Sequence, residues 1–172
     1  TEARLADVFD REQPLAQAVT DMYGHGLQAG QALRNVILDP ANPTAYKNMD
    51  AAIKSYDEAA AVAVPLAAGT PAEALLNKVA EARNRQQAAR QAVLAWVKTD
   101  TAAAVTLLYK QETPAWREMR SGLLEAGKLS RAGLNATRDS ARAEAGARAV
   151  EVEAGDAGAA GVVAVLVLDR PA

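Results

Sequence analysis

Along the first 38 residues, apolar side chains recur alternately three and four positions apart. They are Leu5, Val8, Leu15, Val19, Met22, Gly26, Ala29, Leu33 and Val36, with Glu12 as the polar exception. That rhythm keeps one stripe of a helix facing a partner, and it predicts a first helix from about Glu2 to Leu38, roughly ten turns long. Most of a helix's stability in water comes from packing its stripe, so a seam of this length demands further helices beside it. Pro14 interrupts the pattern and predicts a kink near Arg11, because a proline removes one hydrogen bond and crowds the preceding turn. Asp39-Pro-Ala-Asn-Pro43 then stops the helix.

The chain supplies three more helices. Asn42 with Pro43 is a favoured N-cap and first-turn pair, opening a second helix with the stripe Tyr46, Met49, Ile53, Tyr56, Ala60 and Val64. Val64-Pro-Leu-Ala-Ala-Gly69 ends it. Thr70, Pro71 and Glu73 predict a capped start for a third helix. Its seam is Leu75 or Leu76, Val79, Ala82, Gln86, Ala89, Val93 and Trp96, and Asn84-Arg-Gln-Gln87 leaves its middle polar. Asp100 caps a fourth, which passes Val105, Leu108 and Tyr109 and meets Pro114, where it either kinks or restarts on Thr113. It continues through Met119, Leu123, Leu124, Ala126, Leu129, Leu134 and Ala141 to about Glu153. Four helical segments joined by short turns predict an all-α, antiparallel up-down-up-down four-helix bundle with long first and fourth helices. The bundle domain covers residues 1–155.

Residues 156–172 form a separate tail. Ala157–Leu168 is an uncharged apolar run of 12 residues, short of the roughly 20 a membrane-spanning helix requires. A truncated second transmembrane segment, a β-prone end and a buried terminal strand are the three readings. The charged Asp169-Arg-Pro171 favours the first. The chain begins at Thr1 without a signal peptide, so a targeting segment is expected to have been removed.

Composition narrows the function. Alanine supplies much of the 50% hydrophobic content, aromatics are 4%, and the net charge is −2. A chain without a basic footprint is not expected to bind nucleic acid. No cysteine is present, and His25 is the single histidine, which leaves no thiolate chemistry, no convincing metal site and no nucleophile–base pair. Gly24-His-Gly26 lies inside a helix rather than after a strand, so it is not a dinucleotide fingerprint. Neither an enzyme nor a cofactor carrier is expected.

The glycines of Met22–Asp39 point elsewhere. Gly24, Gly26 and Gly30 each cost a helix interior roughly 0.5–1 kcal/mol relative to alanine, so close approach of a neighbour or a ligand is expected there. Counting 16 residues back from Asp39 and 16 on from Asp100 places Tyr23 level with Trp116, and Gly30 falls level with Tyr109. A small-molecule pocket is therefore expected between the glycines and Tyr109–Trp116, with Gln28 and Gln31 as polar neighbours. Arg34 and Asn35 sit above that level, nearer the distal tip, where a second, interfacial site is expected. Arg34 offers a planar fork for a carboxylate beside the donor and acceptor of Asn35; alternatively it pairs with Asp39, another acid or solvent. Tyr23, Tyr109 and Trp116 either line the pocket or pack the core.

The stretch Met22-Tyr-Gly-His-Gly-Leu-Gln-Ala-Gly-Gln-Ala-Leu-Arg-Asn-Val-Ile-Leu-Asp-Pro-Ala-Asn-Pro-Thr-Ala-Tyr46 is similar to the first-helix signature of bacterial chemoreceptor sensor domains, the periplasmic four-helix bundles of methyl-accepting chemotaxis proteins. Thr99-Asp-Thr-Ala-Ala-Ala104 and Glu112-Thr-Pro-Ala-Trp-Arg117 resemble the start of that family's fourth helix. The resemblance spans roughly residues 1–150. It implies a periplasmic ligand-sensing domain of an inner-membrane receptor, with a first span before Thr1 and a second after the bundle. It also implies a homodimer, which relays the binding of an organic acid or amino acid to a cytoplasmic signalling domain by helix displacement. Related bundles serve histidine kinases and cyclases, and a purely structural bundle shares the same composition.

Overall fold

The computed structural model describes the backbone of Ala3, Ala6 and residues 8–167, and side chains at Ala3, Ala6 and 10–155. Helix α1 is Gln13–Leu38, α2 is Pro43–Ala67, α3 is Ala72–Trp96, α4 is Thr101–Leu107 and α5 is Thr113–Val167. A π turn, Val8–Glu12, precedes α1, and a second, Leu108–Glu112, joins α4 to α5 into one rod. The four rods form an antiparallel bundle in which α1 packs on α2 and α5, and α3 packs on α4 and α5; the α2–α3 seam is the thinnest.

Both π turns end two residues before a proline. Pro14 and Pro114 bring no N–H and crowd the carbonyl four residues earlier. A π turn relieves this by lengthening the hydrogen-bonded step, as in the bond from the Thr113 N–H to the Leu108 carbonyl, five residues back. The expected disturbance near Arg11 is this first turn. At Pro114 the helix neither breaks nor restarts, and Thr113 lies inside the rod.

The caps divide. Asn42 accepts from the Thr44 N–H at 3.0 Å, and Asp100 accepts from the Ala103 N–H at 3.0 Å. Thr70 is not the cap that its sequence position suggested: its hydroxyl donates back to the Ala67 carbonyl at 2.6 Å, and α3 starts at Ala72. Glu73 instead accepts from the N–H of Gly69 at 2.9 Å, and Gly69 takes the left-handed φ of 73° that turns α2 into α3.

The seam of α1 is buried as read from Leu15 to Val36; Leu5, and the side chain of Val8, lie outside the described residues. In α2 and α3 two seam positions differ. Val64 and Trp96 are each 48% exposed, and Ala63 and Val97 are buried in their place. At a helix end, steps of three and four both continue a stripe, and packing took the other step in each case.

The core splits into two apolar clusters. One, toward the chain termini, contains Leu15, Val19, Met22, Tyr56, Leu76, Met119 and Leu123. The other, at the far end, contains Leu33, Val36, Met49, Val93, Val97 and Leu108. Past Leu134 the side chains of α5 are largely exposed, with Val150 and Val152 near two-thirds exposure, so this helix runs on beyond the bundle. The backbone of the apolar tail is helical to Val167, and among the described residues no helix is long and apolar enough to cross a membrane.

Candidate functional site

Between the two apolar clusters lies a polar layer, made by Gln86, Arg90, Glu112 and Thr113, all buried. The second π turn supplies the carboxylate, since Glu112 ends it on the inside of the bundle. Gln86 Nε2 donates to Glu112 Oε1 at 3.0 Å, and Gln86 Oε1 accepts from Arg83 Nη1 at 2.9 Å. Arg83 continues outward, over the Tyr56 ring at 4.6 Å and to Asp57 Oδ1 at 3.2 Å. Burial, then the nearby Arg83, pulls the Arg90 guanidinium below its ordinary pKa, while Glu112, Asp57 and Asp50 act against this.

Arg34 joins the same layer from α1. Its Nη1 donates to the Gly30 carbonyl at 2.9 Å and its Nη2 to Thr113 Oγ1 at 3.3 Å; Thr113 Oγ1 lies 3.5 Å from Glu112 Oε2. The guanidinium therefore ties α1 to the start of α5 rather than pairing with Asp39. A Cβ on Gly30 would lie 3.3 Å from Arg34 Nη1, so this glycine leaves room for the arginine.

The register count placed Tyr23 level with Trp116, and their rings meet with centroids 6.3 Å apart and planes tilted by 36°. The expected cavity at this level is filled by the indole itself. Trp116 lies so close over Gly26 that a Cβ there would stand 2.6 Å from its Cη2. Tyr109 is 67% exposed and lines no wall opposite Gly30. One residue beyond the buried Leu108 turns about 100° around a helix, which carries it to the outer face.

The remaining candidates converge on a groove between α1 and α2, of about 410 Å³. Gln28, Gln31 and Asn35 line it from α1 with His25, while Asn48 and Ser55 line it from α2. His25 Nδ1 sits 3.1 Å from Gln28 Oε1. The spacing explains the convergence: positions 28, 31 and 35 are one helical row, adjacent to the buried Ala29–Ala32–Val36 row. Amide groups carry both donors and acceptors, so this wall offers directional hydrogen bonds without fixed charge. Among the described residues no group of three His, Asp or Glu side chains stands where it could hold a metal ion.

Sequence reasoning passed over Asn48, Ser55, Glu112 and Arg90. Asn48 and Ser55 show no pattern of their own, because their role depends on which face of α2 meets α1. Glu112 carried a signal in its place two residues before a proline, and Gln86 in its place on an apolar seam.

No protein-family model matches the chain, and no curated protein matches it. Among solved structures it is similar to a periplasmic sensor domain of a sensor histidine kinase. The two are 23% identical, the match covers 74% of this chain and 88% of that chain, and the TM-score is 0.63. At this identity the likeness establishes the fold, a four-helix bundle.

Proposed function

We propose that this chain is the extracytoplasmic ligand-sensing domain of a membrane receptor, located in the bacterial periplasm and anchored through flanking spans. The observation that carries the reading is the amide-lined groove on α1, the helix fastened to the outgoing α5 by Arg34–Thr113 and by Trp116 on Gly26. A small polar ligand in the groove would bias α1 against α2. Through these two fastenings, that bias reaches a helix that extends beyond the bundle. Only a ligand with different affinity for two packings can drive such a change.

The ligand class is a small organic acid or amino acid. Its carboxylate would be held by the amide N–H groups of Gln28, Gln31 and Asn35 and by His25, because the Arg34 guanidinium is engaged inside the bundle. Tyr23 and Trp116 act as the packed support behind α1. A homodimer accounts for the exposed length of α5, where the apolar Val150 and Val152 lie near two-thirds exposure.

The output module is that of a methyl-accepting chemotaxis receptor, on the strength of the first-helix resemblance. A histidine-kinase output is the second reading, favoured by the fold likeness to a kinase sensor domain.

Thermal-shift screening with organic acids and amino acids tests the proposal. A stabilising ligand whose effect disappears in Asn35→Leu, with helicity intact, is the expected result. A ligand that is indifferent to Asn35→Leu and Gln31→Leu would remove the groove, and the absence of any stabilising small molecule would count against sensing by direct binding.

A further inference from the structure

A second cavity lies beneath the α2–α3 turn, on the opposite side of the polar layer from the Asn35 end of the groove. It holds about 190 Å³ and is walled mainly by Leu15, Pro71, Ala72 and Leu129. Three polar side chains interrupt this apolar lining; the Thr70 hydroxyl is already bonded to the Ala67 carbonyl, which leaves Ser130 and Glu12. Ser130 is 8% exposed, and its hydroxyl makes no hydrogen bond. Buried hydroxyls almost always have a partner, so this one stands out. The other is the carboxylate of Glu12, half-buried at the end of the first π turn.

The carboxylate is held in place. A Cβ on Gly133 would lie 3.7 Å from Glu12 Oε2, an ordinary contact distance, so the acid lies against α5 at this position. The single hydrogen of the Thr137 hydroxyl is shared between the Gly133 carbonyl at 3.0 Å and the same Glu12 oxygen at 3.4 Å. Oε1 is left with no protein donor among the described residues. The neighbouring Arg11 is not part of the lining; its guanidinium is bonded to the carbonyls of Leu66 and Ala68 at the α2–α3 turn.

We propose that this cavity is a binding site for a small primary amine bearing a compact apolar body. The size fits, since an apolar cavity of about 150 Å³ is enough to hold a benzene ring. The chemistry fits as well. An ammonium group donates up to three hydrogen bonds, one to the Glu12 carboxylate and one to the unsatisfied Ser130 oxygen, while the ring or alkyl body meets the apolar wall. Glu12 belongs to the segment entering α1, and Ser130 and Gly133 belong to α5. An occupant would therefore bridge the two rods at the end where α5 leaves the bundle. The site is separate from the amide groove, and its test does not depend on that reading.

Benzylamine, benzyl alcohol and benzoate share a ring and differ in head group. Each is titrated calorimetrically into the chain and into Glu12→Gln and Ser130→Leu. Benzylamine is expected to bind at one site and benzoate not to bind. Benzyl alcohol is expected to be weaker by about tenfold or more, the scale of one charge-assisted hydrogen bond. Glu12→Gln should bring benzylamine down to the affinity of benzyl alcohol, and Ser130→Leu should fill the cavity and abolish both. Glu12→Gln is nearly isosteric and carries the test alone if Ser130→Leu fails to fold by circular dichroism. No benzylamine binding at millimolar concentration, equal affinity for the three compounds, or an unchanged affinity in Glu12→Gln would each overturn the proposal.

Discussion

Gly24 and Gly26 stand two residues apart in the same helix, and replacing them by alanine should have opposite effects. At Gly24 a Cβ would meet nothing within 4 Å. Alanine there restricts the unfolded chain and improves helix propensity, which stabilises by about 0.5–1 kcal/mol. At Gly26 the same gain is available, but the new Cβ would stand 2.6 Å from Trp116 Cη2 and closer still to Cζ3. Ordinary carbon contacts lie near 3.5–4.0 Å, so the indole must move by roughly 1 Å. The Tyr23 ring packs against the indole and limits that movement. Overpacking of this kind costs about 1–3 kcal/mol, which exceeds the propensity gain and leaves a net loss of roughly 0.5–2 kcal/mol.

For a chain of this size, 1 kcal/mol corresponds to about 2–4 °C in melting temperature. Gly24→Ala should therefore melt a few degrees above wild type and Gly26→Ala a few degrees below. Working in a Trp96→Phe background isolates the emission of Trp116, which should shift only in Gly26→Ala. If Gly26→Ala proves as stable as Gly24→Ala with unmoved Trp116 emission, then close packing is not why the helix carries that glycine.

Two further outcomes follow from the polar layer and the lower core. Replacing Glu112 with leucine strands the buried Gln86 amide and removes the carboxylate that most favours the Arg90 charge, so urea unfolding should register a loss of about 1–3 kcal/mol. The double variant Gln86→Leu/Glu112→Leu should lose less than the sum of the two single changes, and simple additivity would argue against the bond between them. Burial pushes the Tyr56 phenol up to about 12, against the attraction of Arg83. Because the folded value lies above the unfolded one, the stability linked to this group is intact below about pH 10 and is lost as pH rises toward 12. In an absorbance titration, one of the four tyrosines should ionise late and together with unfolding, and Tyr56→Phe should remove that step; early ionisation of all four would contradict the burial argument.

Sequence alone determined the helices and their order. A seam from Leu15 to Val36, the Asn42 and Asp100 caps and the prolines at 14, 43 and 114 are local signals. They act through hydrogen bonds and torsions within a few residues, so they can be read without knowing the neighbours. Even the level of Tyr23 with Trp116 followed from counting, because antiparallel helices rise at the same rate per residue. Which way a side chain turns within its level was a different matter. Arg34 and Asn35 are adjacent in sequence and looked like one carboxylate clamp, yet they lie about 100° apart around α1, and packing sent one to Thr113 and the other to the groove. Tyr109 left the proposed pocket, and Trp116 filled it. Those outcomes depend on which helix covers which face and on whether a large ring can occupy the space beside a glycine. Both are properties of the assembled bundle, so only the tertiary structure could decide them.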